Sequence, residues 1–559
     1  MNEAGDLGGG IRLINSSLAV QNSRFSNNSS GLLGGGMSGF QTLTGRSLQI
    51  RGSEFSMNTS NRGGGLFLES ERPSIQFEID SCSFVGNQGL EIAAGLYLFF
   101  DPASSSPTFS LTRSEFMQNE ASIVGGGFMV EYYGRNGLVT IDSCVFEENI
   151  AGAGLGPGGG AAGMYAGSIN EGNALNLSRS SFARNAGGGV GAIGVEVGTN
   201  GEWDASIQAC SFTDNEAYLG GAAMGLFAYQ ASLMTQIEIE ECSFSGNDML
   251  AETGDAYGAL LLASSVGAFD ATVSRCTFTG NRNPIGGAAL SVSELAPDQQ
   301  EAGAKLVVEN SAFTENNGSI SVLDFSRDAS PYLSAIVVDL NNLTIAENDA
   351  IGIRTPDDMP VIMRNSILSN PLKADVELSA TSLFGSQGGN LVSDSSMNSL
   401  LTVEDTSGVD PLFVGSGEYP YQLQAGSPAV DWGKIYPGMD VAGGDLVGNV
   451  RFQGTGVDAG AYESPFIVSV QEQFDLNAAL SLYPNPVVQH AQLSLDNQWR
   501  GQVRMDIYSL SGQRITTQYL NKDQTHTTWP LDLSHVPSGM YQIMLSNGQQ
   551  RTQVRLVKS

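Results

Sequence analysis

Up to Asn316 the chain runs through short stretches in which apolar and polar side chains alternate with period two, and the same motif closes one stretch after another. "IQFEIDSCSF", "LVTIDSCVF", "ASIQACSF", "QIEIEECSF" and "ATVSRCTF" are five of these stretches. Alternation of this kind, rich in β-branched residues, predicts half-buried strands. The closing motif is [Ser/Cys]-x-Phe-x-x-Asn, and a few residues later a glycine cluster leads into a further apolar strand, as in "GGGLFLE" from Gly63 and "GGGFMV" from Gly125. Glycine permits the tight corner and close backbone approach that such a junction needs. No stretch shows a helical 3.6-residue period.

Ten copies of the motif are intact. Their phenylalanines are Phe25, Phe55, Phe84, Phe116, Phe146, Phe182, Phe212, Phe244, Phe278 and Phe313, at a mean interval of 32 residues. Three places after each stands Asn28, Asn58, Asn87, Asn119, Asn149, Asn185, Asn215, Asn247, Asn281 or Asn316. Two degenerate copies follow, with Ile345 before Asn348 and Ile367 before Asn370. A unit of two or three short strands cannot bury its apolar face alone, whereas stacked units build a continuous core. The expected fold is therefore all-β: a right-handed parallel β-helix, a pectate-lyase-like solenoid of about 12 coils spaced ~4.8 Å apart. The phenylalanines are expected to form an internal aromatic stack and the asparagines a side-chain amide ladder, both structural. Cys82, Cys144, Cys210, Cys242 and Cys276 all lie two places before a repeated Phe, where other coils carry Ser. An odd number at one equivalent position argues for buried thiols and against a disulfide framework.

The net charge of −32 is unevenly placed, since residues 466–559 carry 7 basic and 6 acidic side chains and the rest carries 19 and 52. That field repels phosphate backbones and anionic lipid, which removes nucleic acid and membrane surfaces as partners of the large segment. His490, His526 and His535 are the only histidines. Residues 1–489 therefore hold neither a Ser-His-Asp triad nor a His-ligated metal. No apolar run reaches the roughly 20 residues of a membrane-spanning helix, and no cofactor is expected.

The pairing of glycine clusters with F-x-x-N resembles the repeats of polymorphic outer membrane proteins and of bacterial right-handed β-helix surface proteins. Downstream, "GGN" at Gly388, "DPLF" at Asp410, "YQLQAGSPAVDWG" from Tyr421, "DLVGNVR" from Asp445 and "VDAGAYE" from Val457 are similar to the choice-of-anchor Q region. In that family the region closes the C-terminal end of a β-helix. Asp440, Asp445 and Asp458 have the chemistry for Ca²⁺, but turn capping is the expected role.

The last residues, "LSLYPNPV", "VRMDIYSLSGQRI", "LDLSHVPSGMYQIML" and "QVRLVKS", predict short strands with Pro and Ser-Gly turns, as in a small immunoglobulin-like β-sandwich. They resemble the type A C-terminal sorting domain of the type IX secretion system of Bacteroidota. The matching positions are Tyr483, Pro484, Asn485, Pro486, Gly512, Pro537, Gly539, Tyr541 and Lys558. The resemblance implies the type IX machinery as partner, and export to the cell surface or exterior with removal of the domain. The organisation read from these features is a β-helix over 1–375, a closing region over 376–463, a linker over 464–477 and the sorting domain over 478–559. Met1 is followed by neither a basic nor an apolar leader segment, so the first coil is expected to continue a longer chain.

The variable loops on the rigid scaffold are where binding is expected. Tyr132, Tyr133, Trp203 and Tyr229 are the candidate contacts for extracellular polysaccharide or surface glycans. Residues 1–463 contain only Lys305, Lys373 and Lys434 as lysines and no Gly-His-Gly motif, so the full signatures shared by lyases and galacturonan hydrolases of this fold are missing. The reading is a monomeric, non-catalytic adhesin or carbohydrate-contacting module. The alternative is a polysaccharide lyase or glycoside hydrolase acting through carboxylates or Arg, which predicts acids clustered on neighbouring coils with raised pKa values.

Overall fold

The computed structural model describes residues 2–559 except 45, 153–159, 169, 199–202, 229–234, 254–255, 265–268, 295–303, 328–335, 356–358, 437–443, 454–455, 466–472, 475–478, 510–513 and 548–549. Every regular element in the described residues is a strand. The chain divides into two compact units, Met1–Ile467 and Val468–Ser559.

The first unit is a parallel β-solenoid. The coil that starts at Leu66 shows the plan. Leu66–Ser70 lies in a wide sheet, Gln76–Asp80 in a middle sheet, Ser83–Val85 in a narrow sheet, and Gln88–Ile92 returns the chain to the wide sheet. Each strand pairs in parallel with its equivalents one coil before and one coil after: Phe84 sits between Phe55 and Phe116, and Ile79 between Ile50 and Leu111. The middle sheet holds 13 strands and the narrow one 14, so the stack extends from the first residues to Thr406–Ser407.

Alternation along each strand fills the interior. Nine consecutive phenylalanine pairs from Phe25 to Phe313 stack with ring centroids 4.5–5.2 Å apart and planes within 12° of parallel. This offset stacking repeats the strand spacing, which is why one aromatic residue per coil suits the position. Beyond Phe313 the column continues with Ile345, Leu368 and Val392. The three-residue spacing to Asn370 points to Ile367 as the column residue, but Leu368 occupies it. The corner after Leu368 lacks the left-handed residue that Glu347 supplies one coil earlier at φ 56. Its turn is one residue shorter, and Ile367 faces a side cluster with Leu423 and Val430.

The asparagines form a directed amide ladder. Asn58 Oδ1 accepts both the backbone N–H and the side-chain Nδ2–H of Asn28 at 3.0 Å, and Asn58 in turn donates to Asn87. The second Nδ2 hydrogen of each member goes back to the phenylalanine carbonyl of the preceding coil, as from Asn58 to Phe25 at 2.8 Å. The chain of amides runs on through Asn348 and Asn370 and ends on a carboxylate, where Asp375 Oδ1 accepts Asn370 N at 2.9 Å and Nδ2 at 3.2 Å. Asp375 Oδ2 accepts Ser393 N and Oγ. Aligned amides that all donate toward the C-terminal coil need a terminal group that only accepts, and an ionised aspartate is that group.

The Ser/Cys column works alongside. Ser53, Ser114, Ser180, Ser311 and Ser366 accept the N–H of the equivalent residue one coil earlier at 3.0–3.1 Å. Where Cys replaces Ser, the thiol donates to the carbonyl two residues back, as from Cys82 to Asp80 at 3.3 Å. All five cysteines are buried and free. Burial pushes the Cys144 thiol up to about 12.

After Ser407 the chain leaves the stack and the stretch 409–464 folds back along the last coils. Three successive corner asparagines, Asn310, Asn342 and Asn365, all with φ of 50–52°, hold it there. Arg451 Nε donates to Asn310 Oδ1 at 2.8 Å, Asn342 Nδ2 to the Asp458 carbonyl at 3.3 Å, and Asn365 exchanges bonds of 2.7 and 2.8 Å with the Lys434 backbone. Arg451 is fully buried, lies 3.8 Å from Glu463 and donates to the Ala461 carbonyl. Asp445 accepts Val447 N, Asn449 N and Glu463 N, and Asp458 accepts Asp431 N and Ser464 N. Both aspartates therefore cap turns; Asp440 lies outside the described residues. Burial, then the neighbouring Asp458, pushes the Glu463 carboxyl up to about 8.

The second unit contains a three-stranded antiparallel sheet (Ala479–Tyr483, His490–Asp496, His526–Asp532) and a five-stranded sheet built on Gly501–Ser509, Arg514–Lys522, Gly539–Ser546 and Gln550–Lys558. Leu482, Leu493 and Trp529 from one sheet meet Met505, Ile507 and Ile543 from the other in a common core. This is a small two-sheet sandwich.

The returning stretch 409–464 forms a strap over the last coils. Asn185→Asp and Asp375→Asn keep shape but break the donor sequence: the first cannot donate to Asn215, and the second points an amide at the Ser393 donors. Each should cost about 2–4 kcal/mol in urea unfolding of the solenoid; a shift under about 0.5 kcal/mol would mean that ladder polarity does not matter. For the strap, Glu463 binds a proton more tightly folded than unfolded, so its contribution falls as pH rises from its ordinary range through about 8. Amide exchange over 445–463, corrected for intrinsic rate, should quicken between pH 6 and pH 9 by roughly tenfold or more, and Glu463→Gln should remove that dependence.

Candidate functional site

The outward positions of the wide sheet carry an unusual set of side chains. In the strands Leu66–Ser70, Leu96–Phe100, Phe128–Tyr132, Met164–Ser168 and Ile193–Val197, the first, third and fifth residues point inward, so the second and fourth form two exterior columns. One column reads Phe67, Tyr97, Met129, Tyr165; the other reads Phe40, Glu69, Phe99, Glu131, Gly167, Glu196.

The columns are joined by rings and hydrogen bonds. Ring centroids lie 5.4 Å apart for Phe40 and Phe67, 5.2 Å for Phe67 and Tyr97, 6.3 Å for Tyr97 and Phe99, and 5.4 Å for Phe99 and Tyr133. Tyr97 Oη donates to Glu131, and Tyr165 Oη donates to Glu196 Oε2 at 2.9 Å. Glu131 and Glu196 flank Gly167 in their column, two rungs and therefore ~10 Å apart along the sheet. Together with Tyr133 and Tyr165 they line a hollow of about 140 Å³. A Cβ on Gly167 would lie 3.1 Å from the Tyr165 ring, so glycine keeps this hollow open.

Burial shifts two acids on this face, Glu69 and Glu131. Glu69 is pushed up to about 7, first by burial and then by Glu71 and Asp101 beside it. Glu131 is raised by burial, against the Tyr97 hydroxyl and Arg62 that pull it down. The phenols of Tyr97 and Tyr165 rise as well, by burial and by their glutamate partners. The outcome is a half-buried strip of Phe40, Phe99, Tyr133 and Tyr165 packed beside the buried Phe67, Tyr97 and Met129, in which Glu69 and Glu131 are costly to ionise.

Of the candidate glycan contacts among the described residues, Tyr133 joins this strip. Tyr132 occupies an inward position and is 1% exposed, with its hydroxyl donating to the Pro107 carbonyl at 3.2 Å. Its assignment as a surface contact is corrected by strand parity, since adjacent residues on a strand face opposite sides. Trp203 begins the middle-sheet strand Trp203–Gln208, a different face, and Tyr229 lies outside the described residues. The carboxylate members, Glu69, Glu131 and Glu196, were not singled out from sequence. The signal was present as the fourth strand position after each glycine cluster, but it shows only when coils are aligned. Among the described residues no three His, Cys, Asp or Glu side chains gather so as to hold a metal ion. No helix there is long and apolar enough to cross a membrane.

In the sandwich, the opening motif ties the first strand to the last. Asn485 Nδ2 donates to the Arg555 carbonyl at 2.7 Å and its Oδ1 accepts Val557 N at 2.8 Å. Pro484 and Pro486 flank that clasp, and Tyr483 before it is 80% exposed. Tyr541 Oη donates to the Pro537 carbonyl at 2.9 Å, and a Cβ on Gly539 would lie 3.3 Å from the Tyr541 ring. Lys558 ends the last strand, next to Ser559, whose N–H bonds the Val487 carbonyl. Gly512 lies outside the described residues.

No curated protein matches the chain. Residues 481–559 match the family model described as Secretion system C-terminal sorting domain, the stretch that carries the clasped motif. A tail of this kind implies secretion through the type IX system.

Proposed function

We propose that this is a type IX cargo protein of the Bacteroidota whose solenoid acts at the cell surface as a non-catalytic, carbohydrate-contacting adhesin, with the wide-sheet strip as its glycan platform. The observation that carries the reading is the run of ring faces and buried-side carboxylates over successive coils, centred on Phe99, Glu131, Tyr133 and Glu196. Ring faces stack on the C–H faces of sugars, and carboxylates accept from their hydroxyls. A rigid ladder of rungs repeats such contacts along an extended polymer, while a hollow of about 140 Å³ lies below the roughly 300–1,000 Å³ of sites that enclose a small molecule. In this reading residues 376–463 are the choice-of-anchor Q closing region, and the sandwich is removed after export.

A second reading, glycoside hydrolysis, is favoured by one observation. Glu131, with its raised carboxyl, and Glu196 stand on either side of Gly167 with their backbones two rungs, ~10 Å, apart, and inverting pairs hold their carboxyls ~6.5–9.5 Å apart.

Deleting 478–559 should hold the chain inside the cell, measured by immunoblot of cells against medium and surface fraction. On purified full-length protein, a polysaccharide array with a reducing-end assay should give binding without new ends, and Tyr133→Ala should weaken that binding by about tenfold. New reducing ends that vanish in Glu131→Gln would replace the adhesin with the hydrolase. Binding that is indifferent to Tyr133→Ala would remove the strip as its seat.

A further inference from the structure

Where the strap 409–464 folds back over the narrow sheet, it leaves a cleft of about 460 Å³ between itself and the coils around Cys242, Thr277 and Thr314. It lies on a different face from the strip and shares no residue with it. We propose that this cleft is a second binding site, which takes a neutral mono- or disaccharide segment.

The strap side supplies rings. Tyr419 and Tyr462 have centroids 6.4 Å apart at 54°, an open corner in which a flat ligand can lie against one ring and edge onto the other. Tyr421 completes the wall, and its hydroxyl donates to Glu315 Oε1 at 3.0 Å. Tyr419 donates likewise to Glu418 at 3.0 Å. Each phenol is thereby oriented while its carboxylate keeps free acceptor positions, since an ionised carboxylate accepts about four hydrogen bonds.

The solenoid side supplies hydroxyls and a guanidinium. Thr279 and Thr314 stand on adjacent rungs and hydrogen-bond through their Oγ1 atoms at 3.2 Å, a pair that keeps one hydroxyl hydrogen and free lone pairs for a ligand. Arg275 reaches Glu240 at 2.5 Å and Glu241 at 3.0 Å, so its charge is already matched by protein carboxylates. Glu315 and Glu418 then leave the cleft net negative. Uronates, sulfated sugars and phosphates would meet like charge, whereas a neutral pyranose offers a C–H face to tyrosine and vicinal hydroxyls to carboxylate and threonine. The volume falls in the roughly 300–1,000 Å³ range of small-molecule sites.

The test is calorimetric titration of the full chain with cellotriose, mannotriose, galactobiose and the N-acetylglucosamine trimer, with trigalacturonate as the anionic probe. At least one neutral probe should bind saturably, and trigalacturonate should not. Tyr419→Ala should weaken the bound probe tenfold or more and Glu315→Gln several-fold, with thermal melts unchanged, since Tyr419 is 38% exposed. Tyr133→Ala should leave that affinity alone. Absence of binding by every neutral probe, preference for trigalacturonate, or an affinity untouched by both cleft variants would overturn the proposal. Affinity lost in Tyr133→Ala but kept in Tyr419→Ala would overturn the cleft and leave the strip standing.

Discussion

The amide ladder is the constraint on which the rest of the solenoid depends. Each asparagine ties its own backbone N–H and its side chain to one oxygen of the next coil, so a coil cannot slip by one residue without orphaning buried donors at two levels. With register fixed at that corner, the phenylalanines stack in line and the strands of all three sheets meet their equivalents. Variation in length is then left to the connections, both between the wide and middle sheets and between successive wide-sheet strands, as in the twelve residues between Ala151 and Met164. The ladder's polarity also explains its end. Twelve amides pointing the same way terminate on Asp375, and a second, shorter series from Ser366 through Asn390 terminates on Asp405.

This logic was readable where chemistry repeats and unreadable where it does not. Phe and Asn recur at a spacing that needs no structure to find, and their burial follows from the stack. Asp375 accepts the same two bonds as a ladder asparagine but appears once, five residues past the last motif, and no pattern marks it. Ile367 and Leu368 show the same limit, because the shortened corner is a backbone event and the two neighbours look alike in sequence. Tyr132 and Tyr133 differ only in parity, and parity becomes known once the inward position of Phe128 is fixed by its pairing with Leu96.

The strap motifs illustrate a different gap. "DLVGNVR" and "VDAGAYE" stand out as sequence, yet the bond that gives them meaning joins Arg451 to Asn310, a corner residue 141 positions earlier. Corner residues in left-handed conformation recur on every coil and are drawn from Gly, Ser, Arg, Ala, Glu and Asn. Only over the last coils does asparagine take three in succession, and those amides grip the returning chain. A buried guanidinium beside a carboxyl that titrates near 8 is costly to assemble, and turns capped by Asp445 and Asp458 offset part of that cost by ordering the backbone around it.

Export places five unpaired thiols in an environment where cysteines commonly oxidise, and the fold explains why they persist. The reactive species is the thiolate. Burial raises Cys82 and Cys144, and the neighbouring Cys242 thiol, together with burial, raises Cys210. In the column each sulfur is directed at a carbonyl of its own turn, as Cys276 is at Ser274 and Cys242 at Glu240. Neighbouring sulfurs thus face carbonyls, and parallel side chains one rung apart are poorly disposed for the crossed geometry of a disulfide. The position asks for a small group that donates to a carbonyl two residues back, a demand that serine and a protonated cysteine both meet. The interchange of Ser and Cys along the column is therefore a consequence of the same coil register that the amide ladder imposes.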